Sequence, residues 1–198
     1  MGKVIVAASA SLDGFIADGD DAVGPLFDWY GNGDIPVTMG DADRTFSVSD
    51  ASARYIRSLG SIRAAVIGRH LFDITNGWNG VPPVGDHVFV VTHDPPVQWE
   101  FPDAPFTFVT DGVASAVAQA RVAAGEGDVS VNAGDVGGQA LAAGVVDEVH
   151  LSLVPVLFGA GKRFFGTFSG AQKMLENPTV IEGDRVLHLT YRVRRTSA

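Results

Sequence analysis

AAVIGRHLFD, residues 64–73, is a short apolar run that stops at a glycine and passes at once into Arg69, His70 and the start of a new element. Small and β-branched residues in a run of four favour a buried strand, and RHLFDIT reads as the opening of a short helix. A strand that turns into a helix through one glycine is half of a βαβ unit, which sets the fold class as α/β. The same alternation extends outward in both directions. VIVAAS (4–9), HVFVVT (87–92), FTFVT (106–110) and DVSVN (128–132) read as strands. Ser49 to Leu59 reads as a helix, with Ser47 and Ser49 as N-cap candidates and Ala53, Ile56 and Leu59 near helical spacing. GVASAVAQARVAAG forms a helix ending at Gly125, and GGQALAAG closes another at Gly144. VVDEVHLSLVPVL (145–157) is a long strand, and TVIEGDRVLHLTYRVRR (179–195) is a hairpin turning at Gly183–Asp184. Alternation in the middle and paired strands at the end predict a three-layer α/β domain. Its central sheet is mostly parallel, with an antiparallel C-terminal hairpin. Residues 12–45 read as a long loop with at most one helical turn, and long loops in compact domains are usually functional. With no internal repeat, low-complexity tract or linker, residues 1–198 read as one domain.

Fourteen basic against 23 acidic residues leave a formal charge of −9. Such a surface repels phosphate backbones and anionic lipids, so the expected partner is a small-molecule substrate, not nucleic acid and not a membrane. There is no cysteine, which excludes disulfides, thiolate metal sites, cysteine nucleophiles and the zinc deaminase signature. The histidines at 70, 87, 93, 150 and 188 lack metal-ligand spacing, so no metal is expected. His150 and His188 fall within strands and read as structural. The start, MGKVIVAASAS, has a single basic residue, and Ser9 and Ser11 interrupt its apolar run. It reads as a strand and not as a signal peptide, and a cytoplasmic location is the expectation.

Within an acidic chain, basic clusters stand out. Arg69 and His70 form one, and Lys162 and Arg163 another. At Gly68 a ligand can approach the backbone closely, Arg69 offers a planar fork for phosphate, and His70 adds a donor. The carboxyl end of a strand is where open α/β sheets bind ligands. The plain alternative is a turn with two solvated side chains. VSVNAGDVGGQ (129–139) is a second strand–helix turn of small residues, from Ala133-Gly134 through Asp135, Val136 and Gly138. It can cradle a pyrophosphate or simply allow close packing, and Asp135 is an unfriendly neighbour for phosphate. Together the two turns supply two phosphate contacts along one sheet edge, as a dinucleotide needs. GAGKRF (159–164) is a P-loop decoy, because Val156 stands where the first glycine belongs and Arg163 follows Lys162. In LFDWY (26–30), Asp28 is flanked by Phe27, Trp29 and Tyr30. It is either a proton donor or base-binder against a stacked ring, with Trp29 alongside, or the cap of a loop packing its own aromatics.

VIVAASASLDGFIA, AVIGRHLFD, VFVVTH and above all GQALAAGVVDEVHLSLVPVLFGAGKRFF resemble the dihydrofolate reductase superfamily over about residues 3–194. The nearest branch is the reductase domain of the bifunctional riboflavin-biosynthesis deaminase-reductases and its stand-alone bacterial relatives. The resemblance implies NADPH-dependent hydride transfer to a pyrimidine- or pteridine-like heterocycle. It implies that Gly68, Arg69, His70 and Leu71 hold the pyrophosphate and 2′-phosphate side. Thr92 and His93 would lie by the adenosine 2′-phosphate, Ser9 and Ile16 would line the nicotinamide, and Ala133, Gly134, Asp135, Val136 and Gly138 would form the second phosphate turn. It also implies a homodimer through the C-terminal strands. The chain departs from the branch at Ala133-Gly134, where Gly-Gly is usual, and at Asp135, where a small neutral residue is usual. The Trp and Arg that hold base and ribose phosphate in that branch have Phe46, Arg54 and Arg57 as nearest counterparts. Dihydrofolate reductases proper carry a pterin-binding carboxylate on the helix before the GRH turn, and the counting match here is Ser52. Two other functions stand beside the riboflavin-type reductase: a true dihydrofolate reductase, and a non-catalytic NADPH-binding module.

Overall fold

The computed structural model describes residues 2–40 and 44–194. Residues 41–43 of the expected long loop and residue 195 of the expected hairpin lie outside them. The strands are β1 (Val4–Ser11), β2 (Phe15–Ala17), β3 (Ile35–Thr38), β4 (Thr45–Val48), β5 (Ile62–Gly68) and β6 (His87–Val91), continuing with β7 (Phe106–Val109), β8 (Asp128–Asn132), β9 (Glu148–Val154), β10 (Lys162–Arg163), β11 (Thr179–Gly183) and β12 (Val186–Arg192). The helices are α1 (Asp50–Ser58), α2 (Arg69–Ile74), α3 (Val113–Ala124) and α4 (Asp135–Ala142). Two 3-10 helices, Gly24–Gly31 and Asn76–Gly80, complete the set.

Eight strands form the central sheet in the order β11-β12-β9-β1-β8-β5-β6-β7. The pairs from β9 through β7 are parallel, whereas β12 runs antiparallel to β9 and β11 antiparallel to β12. This is the predicted architecture. Side chains alternate faces along each strand, so β5 sends Ala64 and Val66 to one face and Ala65 and Ile67 to the other. The first face is covered by α3 and α4 through Val113, Ala116, Val117, Ala120 and Leu141. The second is covered in two places. Over β9 and β12 it meets α1 and the first 3-10 helix through Ala53, Ile56, Leu26 and Trp29. Over β5 and β6 it meets α2 and an aromatic cluster around Phe72 and Trp99. The gap between these two packings lies above the carboxyl ends of the central strands.

The segment 12–45 is more structured than a long loop. Short strands β2 and β3 and a 3-10 helix occupy it, because their partners lie elsewhere: β2 pairs with β10, and β3 pairs with β4. The terminal hairpin turns at Asp184–Arg185, one residue later than expected, because Gly183 pairs with Val186. Arg185 takes the left-handed conformation there, with φ of 55°. The run Asn76–Gly80 is a left-handed turn in which every φ is positive. Gly77 is packed so closely against Trp99 and Phe72 that a Cβ would lie 2.7 Å from the Trp99 ring.

Candidate functional site

A cleft of about 570 Å³ opens at the carboxyl ends of β1, β5 and β8. Ala8 and Ser9 come from β1, Gly68 from the end of β5, and Asn132, Ala133 and Gly134 from the turn after β8. Parallel strands place such a crevice where their carboxyl ends and the following helices converge. The turns after β5 and β8 face each other: a Cβ on Gly68 would lie 3.1 Å from Cγ2 of Val136. Gly134 adopts φ of +91°, a conformation that L side chains rarely take, and its N–H donates to the Phe164 carbonyl at 2.7 Å. Of the residues expected to hold a cofactor, the cleft brings together Ser9, Ile16, Gly68, His70, Leu71, Ala133, Gly134, Asp135 and Val136.

The other expected residues lie elsewhere, for physical reasons. Gly138 is required by packing, since a Cβ there would lie 2.1 Å from the Phe165 carbonyl oxygen. Arg69 turns away from the cleft lining. Its Nε donates to Asp73 at 2.7 Å, one helical turn on, and Nη1 donates to the Asp94 carbonyl. Thr92 Oγ1 donates to that same carbonyl at 2.9 Å, so Arg69 and Thr92 meet at Asp94, while His93 is exposed. Asp135 lines the cleft, but its carboxylate accepts from the Thr167 N–H at 2.8 Å and ties down the turn after β10.

The aromatic segment is rearranged relative to expectation. The 3-10 helix buries Leu26 and Trp29 and leaves Asp28 exposed, so Asp28 has no aromatic enclosure. Trp29 is beneath the site and not in its lining. Phe27 and Tyr30 line the cleft instead, with Val23, Leu71 and Ile74. Phe46 packs behind Tyr30, ring centroids 4.7 Å apart. Arg54 is on the solvent face of α1, paired with Asp50 at 3.4 Å. Phe46 and Arg54 therefore do not reach the cleft.

Lys162 and Arg163 bring positive charge to the cleft, and His70 adds an imidazole ring beside them. The second basic cluster arrives because β10 pairs with β2, setting Lys162 opposite Ala17. Asp21, which the sequence did not single out, stands between two of them. Its Oδ1 lies 2.9 Å from His70 Nε2 and 3.5 Å from Lys162 Nζ. The His70 hydrogen bond, reinforced by both charges, holds its carboxyl below the ordinary value. Asp21 is delivered by a tight turn in which Asp18 Oδ1 accepts from the N–H groups of Asp20 and Ala22, and it has φ of 66° itself.

Beneath the cleft is a buried polar cluster. Trp29 Nε1 donates to Ser9 Oγ at 3.0 Å. The Trp29 ring meets His188 edge-on at 4.8 Å, and His188 stacks on Tyr55 at 4.1 Å. Ser52 Oγ and Ser152 Oγ each lie 2.9 Å from one nitrogen of His188. Burial pushes the His188 imidazole down to about 4, so the ring is neutral. Burial likewise pushes the Tyr55 phenol up to about 12. Ser52, the counting match for a pterin-binding carboxylate, is 1% exposed and committed to His188. Among the described residues no cluster of His, Cys, Asp and Glu could hold a metal ion. Nor is any helix among them long and apolar enough to cross a membrane.

By sequence the chain matches no family model and no curated protein. Its fold has counterparts. A candidate riboflavin biosynthesis protein from Shewanella sp. PV-4 superposes with a TM-score of 0.70 at 20% identity, over 98% of this chain and 99% of that one. A deaminase/5-amino-6-(5-phosphoribosylamino)uracil reductase from Thermotoga maritima gives 0.60 at 14% identity, over 98% of this chain and 57% of that one. Dihydrofolate reductase from Enterococcus faecalis, complexed with NADP(H), gives 0.58 at 16% identity, over 98% of both chains. The chain therefore has the dihydrofolate-reductase-like fold that its motifs resemble.

Proposed function

We propose that this chain, built on the fold of dihydrofolate reductase and the riboflavin-pathway reductases, is an NADPH-dependent reductase of a flat heterocycle. The observation that carries the proposal is the meeting of two glycine turns, at Gly68 and Gly134, across one cleft lined by Lys162, Arg163 and His70 in a chain of net charge −9. The residues present fit a dinucleotide. Gly68 leaves space that a Cβ would fill against Val136, and Gly134 holds a backbone that other residues resist. Bound there, NADPH supplies a hydride.

The chain's own contribution is orientation and exclusion of water. His70, Lys162 and Arg163 attract the phosphates, and the backbone at Gly68 and Gly134 permits their close approach. Ile16, beside Gly134, forms an apolar contact for the reacting ring; its Cδ1 would lie 3.7 Å from a Cβ on Gly134. The wall made by Phe27, Tyr30, Leu71 and Ile74 receives a flat substrate ring by stacking and dispersion. A substrate of the 5-amino-6-(5-phosphoribosylamino)uracil kind is the finer form of the proposal, and its phosphate would share the same Lys162, Arg163 and His70 side chains. The pterin alternative is disfavoured, because a neutral, buried hydroxyl stands at Ser52. The reading includes a homodimer through β11 and β12, where Val180 and Leu187 are exposed. The test is oxidation of NADPH by the purified chain with pyrimidine and pteridine acceptors. Turnover with one of them is expected, and a chain that binds NADPH yet turns over none across the panel is a binding module.

A further inference from the structure

We propose that Ser9 is a dedicated hydrogen-bond donor of the cleft, aimed by Trp29, and that it selects a ring bearing a carbonyl oxygen. Ser9 lies on β1, is 8% exposed and lines the cleft. Its Oγ accepts from Trp29 Nε1 at 3.0 Å, and it has no other hydrogen-bond partner among the described residues. A serine hydroxyl has one proton and two lone pairs. The indole N–H can only donate, so this bond occupies the acceptor side of Ser9 and leaves its proton to be given away. A nearly buried donor without an acceptor is costly, and such a group in a cleft is matched by a ligand that accepts from it.

Trp29 is the positioning residue. Its ring is 2% exposed, stacked on Tyr30 at 3.8 Å and 25°, and abutted by His188. His188 is itself fixed from both sides by Ser52 and Ser152. The indole therefore cannot turn its N–H away from Ser9. Tyr30 stacks on that same indole and lines the cleft, so a ring laid against Tyr30 brings its edge beside the Ser9 hydroxyl. A carbonyl on that edge accepts the proton; a ring without one leaves it unpaired.

The inference rests on the reductase reading only for which ring carries the carbonyl, the nicotinamide carboxamide or a second heterocycle. The experiment separates these sources. NADPH, its thionicotinamide analogue (sulfur is a poor acceptor) and lumazine are titrated against wild type, Ser9→Ala and Trp29→Phe, with thermal unfolding as the check on folding. Ser9→Ala removes one oxygen, and Trp29→Phe keeps a ring but removes the N–H. A loss of five- to twentyfold is expected in Ser9→Ala, and a smaller loss in Trp29→Phe, for the probe that carries the acceptor. Weakened NADPH with an unchanged thio analogue assigns the carboxamide, a discrimination that a merely structural role of Ser9 would not produce. Weakened lumazine with unchanged NADPH assigns the second ring. If wild type binds lumazine in a Ser9-dependent way but no nicotinamide, the donor stands and the cofactor reading fails. Binding of every probe within twofold of wild type by Ser9→Ala overturns the proposal, and so does wild type that binds none of them.

Discussion

His188 links the stability of the chain to the shape of its cleft, and that link has a measurable pH signature. The ring is 1% exposed, with a serine hydroxyl on each nitrogen, and burial pushes it down to about 4. In the unfolded chain an ordinary histidine titrates near 6.5. The folded value is the lower one, so the unfolded chain takes up a proton first as pH falls. Stability is fully present above about pH 6.5 and is lost between there and the folded value of about 4. These two values give a loss of about 2 kcal/mol by pH 5 and about 3 kcal/mol by pH 4. His188→Gln removes the titration and keeps one amide for one serine. At pH 7 it is expected to cost about 1–2 kcal/mol, the price of one hydroxyl left without its partner. Urea unfolding of both proteins from pH 7 to pH 4 gives the comparison. The wild-type advantage should shrink as pH falls, vanish near pH 5 and reverse below it. His150 is also depressed by burial, partly opposed by the hydrogen bond it makes to the Glu148 carboxylate, but it is present in both proteins and cancels in the difference. Stability curves that stay parallel to pH 4 would refute the neutral, buried imidazole and with it the rigid seat of Trp29.

Three further predictions concern the cleft and its frame. Asp21→Asn removes a carboxylate that holds His70 and Lys162, so affinity for NADPH and for inorganic pyrophosphate should rise about three- to tenfold at low salt, with the gain fading as salt is added; unchanged affinity in a salt titration would show that these side chains do not meet the ligand's phosphates. Gly138→Ala drives a methyl to 2.1 Å from the Phe165 carbonyl oxygen, and denaturant unfolding should show a loss of about 2–3 kcal/mol. Arg185→Gly relieves a left-handed residue at φ of 55° in the terminal hairpin and should stabilise by about 0.5–1 kcal/mol, read as a raised melting temperature.

The sheet was legible because its strands are apolar runs punctuated by glycine, and the turns at Gly68 and Gly134 were legible because glycine ends them. The orientation of LFDWY was not. Periodicity marks an aromatic segment, but only the 3-10 geometry decides that Leu26 and Trp29 go inward, Phe27 and Tyr30 toward the cleft, and Asp28 to solvent. The partners of Arg69 were equally hidden. Asp73 is a local i+4 neighbour visible in the sequence, whereas the Asp94 carbonyl arrives only through the pairing of β5 and β6. The Ser52–His188–Ser152 cluster joins α1, β12 and β9, across 136 and 36 residues of chain, and strand alternation alone cannot disclose it. Asp21 escapes a sequence reading because an aspartate in a Gly/Asp-rich turn looks like any solvated turn residue until the fold sets it between His70 and Lys162.

The central claim is that the cleft between the Gly68 and Gly134 turns holds a phosphorylated nicotinamide dinucleotide. Its most direct test is a fluorescence titration of wild type and Lys162→Ala with NADPH and with NADH. Saturable one-to-one binding of NADPH, displaced by pyrophosphate and tighter than that of NADH, is predicted, with the affinity reduced in Lys162→Ala. Failure of both nucleotides to bind wild type at any accessible concentration would contradict it.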